Sequence, residues 1–228
     1  MKSLFSLDNP LMQILTRICD LMIVNLLFLV SCIPVITIGA AICGMTKVCQ
    51  AIVMGDERSI WRHFVSGFKD NFKQSTIVWL LTVLVAASLV CYWLIVVNFC
   101  RGTLATVLLI LMAVLAVVAL SHVVYLFPLI ARYENSLREH IKNAGILAIT
   151  RLLLTPLLIV FTVVFFILPY ISLEAYLQTL IFWVVIGFAF LSYMANLMLK
   201  PIYQILESPS MQKGYKEPEE DEDEEEDE

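Results

Sequence analysis

Ionisable and amide side chains inside apolar segments are the residues of this sequence whose chemistry requires an explanation. An ionisable group at membrane depth is a functional candidate, because keeping it there costs free energy. Arg17 and Asp20 are three residues apart, so on a helix they would share a face and are predicted to form an ion pair. A proton or ion site is the less favoured interpretation. The candidates are Asp20, Asn25, Lys47, His122, Arg151 and Asn196.

The remaining candidates also have structural interpretations. His122 is predicted to lie about 15 Å from the inner end of its helix, where an imidazole could titrate near neutral pH. A hydrogen bond to a neighbouring helix is the favoured alternative. Lys47 and Arg151 are expected to extend their long stems toward the headgroups. Asn25 and Asn196 are predicted to form hydrogen bonds between helices.

Motifs for catalysis and metal binding are absent from the sequence. It contains no glycine-rich phosphate loop, no HExxH zinc motif and no GxSxG nucleophile motif. Its six cysteines lack the paired spacing of a zinc site. We therefore expect no catalytic residues, no metal site, no cofactor and no enzyme activity. A membrane enzyme would depend on the polar candidates alone.

The composition indicates that lipid is the solvent for most of the chain. Hydrophobic residues make up 60% and charged residues 15% of 228 positions, against roughly 45 to 50% and 25% in soluble domains. Eleven of the 20 acidic residues lie within Glu217–Glu228. The remaining nine acids oppose 15 Lys and Arg, so the body carries +6 and the tail −11. These charges favour a bilayer over nucleic acid as partner, and predict a disordered acidic tail at 207–228.

Apolar segments of about 20 residues predict an all-α polytopic bundle over residues 1–206. A single N-terminal span at 21–45 would give five spans, whereas a hairpin broken at Pro34 gives six. The excess of Lys and Arg in cytoplasmic loops selects six spans with both termini in the cytoplasm. The predicted spans are 11–31, 36–54, 76–98, 104–131, 146–168 and 177–199.

Two segments, 68–75 and 137–144, match in residue type at eight successive positions, and each precedes a predicted span. Apolar residues four positions apart predict short amphipathic helices at the membrane interface. Such helices commonly support the entry of a span, and this is the favoured interpretation. The alternative is a cytoplasmic docking surface for another protein, formed by Trp61, Phe64, Phe68, Phe72, Leu137 and Ile141.

The sequence contains LVSCIPVITIGAA at 29–41, FKDNFKQSTIVWL at the end of the segment 55–80, and YENSLREHIKNA at 133–144. Together these stretches resemble the YesL family of small bacterial membrane proteins of the Firmicutes, also described as DUF624. The resemblance covers about residues 4–205 and implies no catalytic residues. Members tend to be encoded beside carbohydrate ABC-transporter permeases. The resemblance thus implies a non-enzymatic accessory or regulatory subunit for carbohydrate uptake in a bacterial plasma membrane. A small solute transporter or channel is the alternative.

Overall fold

A computed structural model describes residues 10–56, 59–151, 154–167 and 173–207. The described residues form helices without strands, which confirms the all-α polytopic class. A 3₁₀ turn at Val35–Thr37 precedes α2, and a π-helical segment at Trp183–Gly187 joins α8 to α9. The helices are α1 Pro10–Ser31, α2 Ile38–Met54, α3 Ile60–Asp70, α4 Phe72–Phe99, α5 Gly102–Arg132, α6 Leu137–Thr150, α7 Leu154–Ile167, α8 Leu173–Phe182 and α9 Phe188–Leu206. The predicted acidic tail lies outside the described residues, apart from Glu207.

Five described helical segments are long and apolar enough to cross a bilayer, and a sixth depends on a bent pair. The predicted span at 146–168 is not one continuous helix, because α6 and α7 meet at an angle of 104°. Pro156 lies in the first turn of α7, where its missing N–H does not interrupt the helix. If α6 continued as one helix through Pro156, the proline could not donate the backbone hydrogen bond required at that position. A new helix begins here instead.

The two matching segments adopt different structures. Residues 68–75 contain the turn at Asn71 that separates α3 from α4. Residues 137–144 form the continuous start of α6. The hydroxyl of Ser136 accepts from the Glu139 N–H, while the Glu139 carboxylate accepts from the Ser136 N–H. This capping box fixes the start of α6, whereas no capping side chain marks the start of α4.

Helix α2 is the central element and packs against α1, α3, α4, α5 and α9. Small residues permit these close contacts. A methyl group on Gly39 would overlap the Ser75 carbonyl and lie 2.8 Å from Trp79 Cβ. A methyl group on Gly67 of α3 would lie 3.0 Å from the Gly44 backbone. The absence of side chains at these points therefore sets the separation of three helices.

Helices α4 and α5 form an antiparallel hairpin, and α2 lies across its base. Gln74 Nε2 donates to the Asn135 carbonyl at 3.1 Å, so the start of α4 lies near the end of α5. Gly39 contacts α4 at Ser75, and Gln50 bonds α5 at Pro128. Both ends of α2 thus lie at one level of the hairpin. If α2 and α4 were neighbouring antiparallel spans, the last turn of α2 would lie beside the start of α4. The first turn of α2 lies there instead.

The base of the hairpin also contains the C-terminal ends of α2, α5 and α9. Lys200 Nζ donates to the Val53 carbonyl at 3.1 Å. Arg132 Nε and Nη2 donate to the two Glu207 carboxylate oxygens at 2.6 and 3.0 Å. These contacts place all three helix ends on one face, as expected if the basic loops and the C-terminus share one side of the membrane. Which side faces the cytoplasm stays a prediction.

Gly39→Ala is expected to destabilise the protein by about 1–3 kcal/mol, because the added methyl overlaps the α4 backbone. Gly145→Ala is the matched control. A methyl at that helical position would meet only His122 Nε2 at 3.3 Å and the adjacent ring carbon, so its effect should remain within about 1 kcal/mol. Unfolding in mixed detergent micelles measures the free energy of unfolding of both variants. Equal stability of the two would contradict the proposed α2–α4 contact.

Candidate functional site

Asn25 joins α1 to the π-helical segment. Its Nδ2 donates to the carbonyls of Trp183 and Val184 at 3.0 and 2.8 Å, and its Oδ1 accepts from the Ala189 N–H at 3.1 Å. A π turn interrupts the regular i→i−4 pattern of backbone bonds. The fully buried Asn25 side chain supplies partners to the backbone there. The predicted hydrogen bonds between helices are present for this residue.

Asn196 belongs to a buried polar chain that joins α9, α2 and α5. The Tyr203 hydroxyl donates to Asn196 Oδ1 at 2.8 Å. Gln50 Nε2 donates to the Tyr203 hydroxyl at 3.2 Å and to the Pro128 carbonyl at 2.9 Å. The direct bonds of Asn196 stay within α9, including one to the Ser192 carbonyl. Its contribution between helices therefore passes through Tyr203 and Gln50.

Arg132 closes the same region at the base of the bundle. Its guanidinium lies 4.8 Å from the centre of the Tyr203 ring and binds the Glu207 carboxylate through two hydrogen bonds. The bond from Arg132 lowers the pKa of Glu207. Burial, followed by the nearby Glu207 charge, raises the pKa of Tyr133 to about 12. The neutral Tyr133 hydroxyl donates to Glu207 at 3.4 Å.

Lys47 contacts α3, whereas Asp20 does not form the ion pair that its spacing predicted. Lys47 Nζ donates to Ser66 Oγ at 2.8 Å and lies 3.8 Å from Asp70. This contact joins α2 to α3, and the extension of Lys47 toward the headgroups stays a prediction. The described part of the chain shows no ion pair between Arg17 and Asp20, so that predicted pair is wrong.

The Asp20 side chain instead lines a recess of about 510 Å³ between α1, α2 and the start of α3. Asp56, Ser59 and Trp61 contribute to the same recess. So does His63, whose Nε2 lies 3.5 Å from an Asp56 carboxylate oxygen. The recess combines two carboxylates and an imidazole with the apolar sides of α1 and α2.

His122 and Arg151 lie near the bend between α6 and α7. His122 Nδ1 lies 2.9 Å from the Val118 carbonyl of its own helix. This nitrogen therefore does not form the predicted hydrogen bond to a neighbouring helix. The ring lines an apolar cavity of about 670 Å³ among α4, α5, α6 and α7. Arg151 is the C-terminal cap of α6. The bond across this region joins Tyr125 and Thr155 hydroxyls at 3.0 Å.

The predicted docking residues separate into exposed and buried groups. Trp61 is 60% exposed, Phe72 40% and Ile141 41%. Phe64 is only 4% exposed and contacts Gly44, so its inclusion in an exposed surface is wrong. Phe68 and Leu137 are partly buried against the two cores. The three exposed residues lie on three different helices, α3, α4 and α6.

Sequence reasoning missed Gln50, Tyr203 and Trp79. Gln50 is a polar residue inside an apolar segment, which is a usable signal. The sequence gives no signal for Tyr203 and Trp79, because their partners are distant in sequence or are themselves side chains of the core. The Trp79 indole donates to the Val35 carbonyl at 3.0 Å, 44 positions away, and the Tyr203 hydroxyl accepts from Gln50. Within the described residues, no three His, Cys, Asp or Glu side chains are grouped to hold a metal ion.

Residues 21–99 match the model of a family described as protein of unknown function, DUF624. Over these 79 of 228 residues, the match agrees with the predicted family. It covers α1 from Leu21 through the end of α4, and so includes the central helix α2. No curated protein and no solved structure matches the chain.

Asn25→Ala should destabilise the protein by about 1–3 kcal/mol, because it leaves buried backbone groups of the π segment without partners. Hydrogen exchange should also accelerate at the Ala189 amide, which loses its acceptor. Asn98→Ala is the matched control, since among the described residues the Asn98 side chain donates to the Leu94 carbonyl of its own exposed turn. An unchanged exchange rate at Ala189 in the Asn25 variant would contradict this role.

The Arg132–Glu207 pair should stabilise the protein in a pH-dependent manner. The folded-state pKa of Glu207 is below its ordinary value of 4.5, so the contribution is complete above that pH and is lost as pH falls through the lowered pKa. Glu207→Gln should therefore lower the melting temperature at neutral pH, and the difference from the unmodified protein should shrink below pH 4.5. Glu134→Gln, at an exposed position, serves as control. A difference that stays constant with pH would refute the assignment.

Proposed function

We propose that this chain, whose residues 21–99 match the DUF624 family model, is a non-enzymatic accessory or regulatory membrane subunit for carbohydrate uptake. Its partner would be an ABC-type permease in a bacterial plasma membrane. The family setting supplies the carbohydrate and permease parts of this proposal. The arrangement of polar and apolar groups supports the accessory part.

The observation that carries the proposal is the use of buried polar side chains as helix connectors. Asn25 binds the π segment, Gln50 binds α5 and α9, and Tyr125 binds Thr155. Each group is committed to another part of the same chain. A transporter would need several such groups directed toward a substrate near the bilayer midplane. The transporter or channel alternative rests on Asp20, His122 and Asn196. Asp20 lines the recess beside α1 and His122 lines the apolar cavity, whereas Asn196 is bonded within α9.

The outer part of the α4–α5 hairpin offers a surface for partner helices. From Trp79 to Phe99, α4 extends 20 residues, or about 30 Å, beyond its contact with α2. Leu84 and Leu111 are 63% and 51% exposed there. Helices in lipid associate through close packing of such surfaces. We assign this outer part of the hairpin as the permease-binding surface.

The basic residues at the base support an orientation with this end in the cytoplasm. Arg62, Lys69, Lys73, Arg138 and Lys142 are exposed there, whereas Arg101 lies at the opposite tip of the hairpin. Cytoplasmic loops carry the larger share of Lys and Arg. The same orientation would place the C-terminal end of α9 in the cytoplasm, because Glu207 is bound to Arg132 at the base.

Affinity purification from native membranes in mild detergent tests the proposal. We expect carbohydrate permease subunits to copurify with the tagged protein. Leu84→Ala combined with Leu111→Ala should reduce their recovery by removing exposed apolar contacts. The matched control combines Leu15→Ala with Leu26→Ala, which alters leucines of 53% and 61% exposure on α1.

Recovery of the tagged protein without permease subunits, from an extract in which the transporter itself remains assembled, would reject the proposed partner. Equal permease recovery with both double variants would reject the hairpin as the contact surface.

A further inference from the structure

The base of the bundle carries a cluster of exposed cations that neighbouring acids leave uncompensated. We propose that the acidic segment Glu217–Glu228 of the same chain binds this cluster. We call the cluster the basic patch. The inference rests on charge and geometry and does not depend on the proposed permease partner. The basic patch comprises Arg62, Lys69, Lys73, Arg138 and Lys142.

The basic patch draws its cations from elements that meet at the base. Lys73 adjoins Gln74, whose amide donates to the Asn135 carbonyl at 3.1 Å. Arg138 lies three residues beyond that carbonyl, and Lys142 follows one helical turn later on the same face of α6. Lys69 lies on the last turn of α3, directly before the turn into α4. Within the described ranges, these cations form no ion pair.

Nearby acids are largely engaged by other groups. Asp70 accepts from Ser66 at 2.6 Å and pairs with Lys47. Glu139 accepts from the Ser136 backbone and hydroxyl in the capping box of α6. Glu207 binds Arg132. Exposed Glu134 remains beside the basic patch, and it cannot neutralise five cations.

The acidic segment begins within reach of the basic patch. Glu207 is fixed to Arg132 at the base, and nine residues, 208–216, separate it from Glu217. Ten extended steps span at most about 36 Å. Eleven of the 12 residues in Glu217–Glu228 are acidic. A short tether also gives the segment a millimolar effective concentration at the base.

The acidic segment and anionic lipid headgroups would compete for the basic patch. Exposed Lys and Arg beside a bilayer are attracted to anionic headgroups. A covalently attached polyanion competes for the same charges from within the molecule.

Zero-length carbodiimide crosslinking of the full chain in nanodiscs tests the proposal. We expect amide links from tail carboxylates to Lys69, Lys73 or Lys142, both in phosphatidylcholine and after addition of phosphatidylglycerol. These links should be lost at about 1 M salt, where the Debye length is only about 3 Å. Links to Lys213 and Lys216, beside the segment in sequence, should persist and report that the reagent works.

A second measurement avoids dependence on crosslinking chemistry. Acetylation of Lys69, Lys73 and Lys142 by a soluble reagent should rise severalfold when the chain ends after Lys216, while acetylation of Lys47 stays constant. Links confined to Lys213 and Lys216, together with unchanged acetylation, would overturn the proposal. So would loss of the long-range links on adding phosphatidylglycerol, which would assign the basic patch to lipid headgroups.

Discussion

Close approach of α2 to its neighbours is the constraint on which the rest of the structure depends. In lipid, apolar side chains gain little by leaving their solvent, so helices associate through packing and hydrogen bonds. Gly39 and Gly44 bring the α2 backbone against α4 and α3. Ala40, Ala41 and Cys43 between them are completely buried. This compact surface lets one short helix contact five others.

Neutral polar groups and charged groups occupy different parts of the bundle and make different contacts. Amide and hydroxyl groups bind backbone carbonyls where helices meet, as Asn25 and Gln50 do. Charged groups gather at the base, where Arg132 and Lys200 connect helix ends. This sorting gives a rigid base from which the α4–α5 hairpin projects. The two helices of the hairpin contact each other and α2, and α5 also contacts α6 and α7.

Apolar length predicted the helices well but not their directions. Counting residues identifies a segment such as 36–54 as long enough to cross a bilayer, but it contains no information about crossing angle. The position of α2 across the hairpin depends on contacts between Gly39 and Ser75 and between Gln50 and Pro128. Such contacts join distant parts of the sequence and leave no periodic signal.

Site predictions failed for related reasons. The amphipathic pattern of α3 correctly gave it one apolar face, but did not reveal that Phe64 would pack inside against Gly44. Arg17 and Asp20 have the spacing of an ion pair, yet spacing does not fix the rotamers that bring two charges together. Asn25 was identified because a lone amide in an apolar helix requires partners, although the backbone that supplies them lies 158 positions away.

The π-helical segment at Trp183–Gly187 has a consequence for the rotational phase of α8. A π turn holds one more residue than an α turn, and one residue corresponds to about 100° of rotation. The side of α8 that meets the bilayer is therefore set by this single extra residue. A homologous chain lacking it could keep α9 in place while presenting a different side of α8 to lipid.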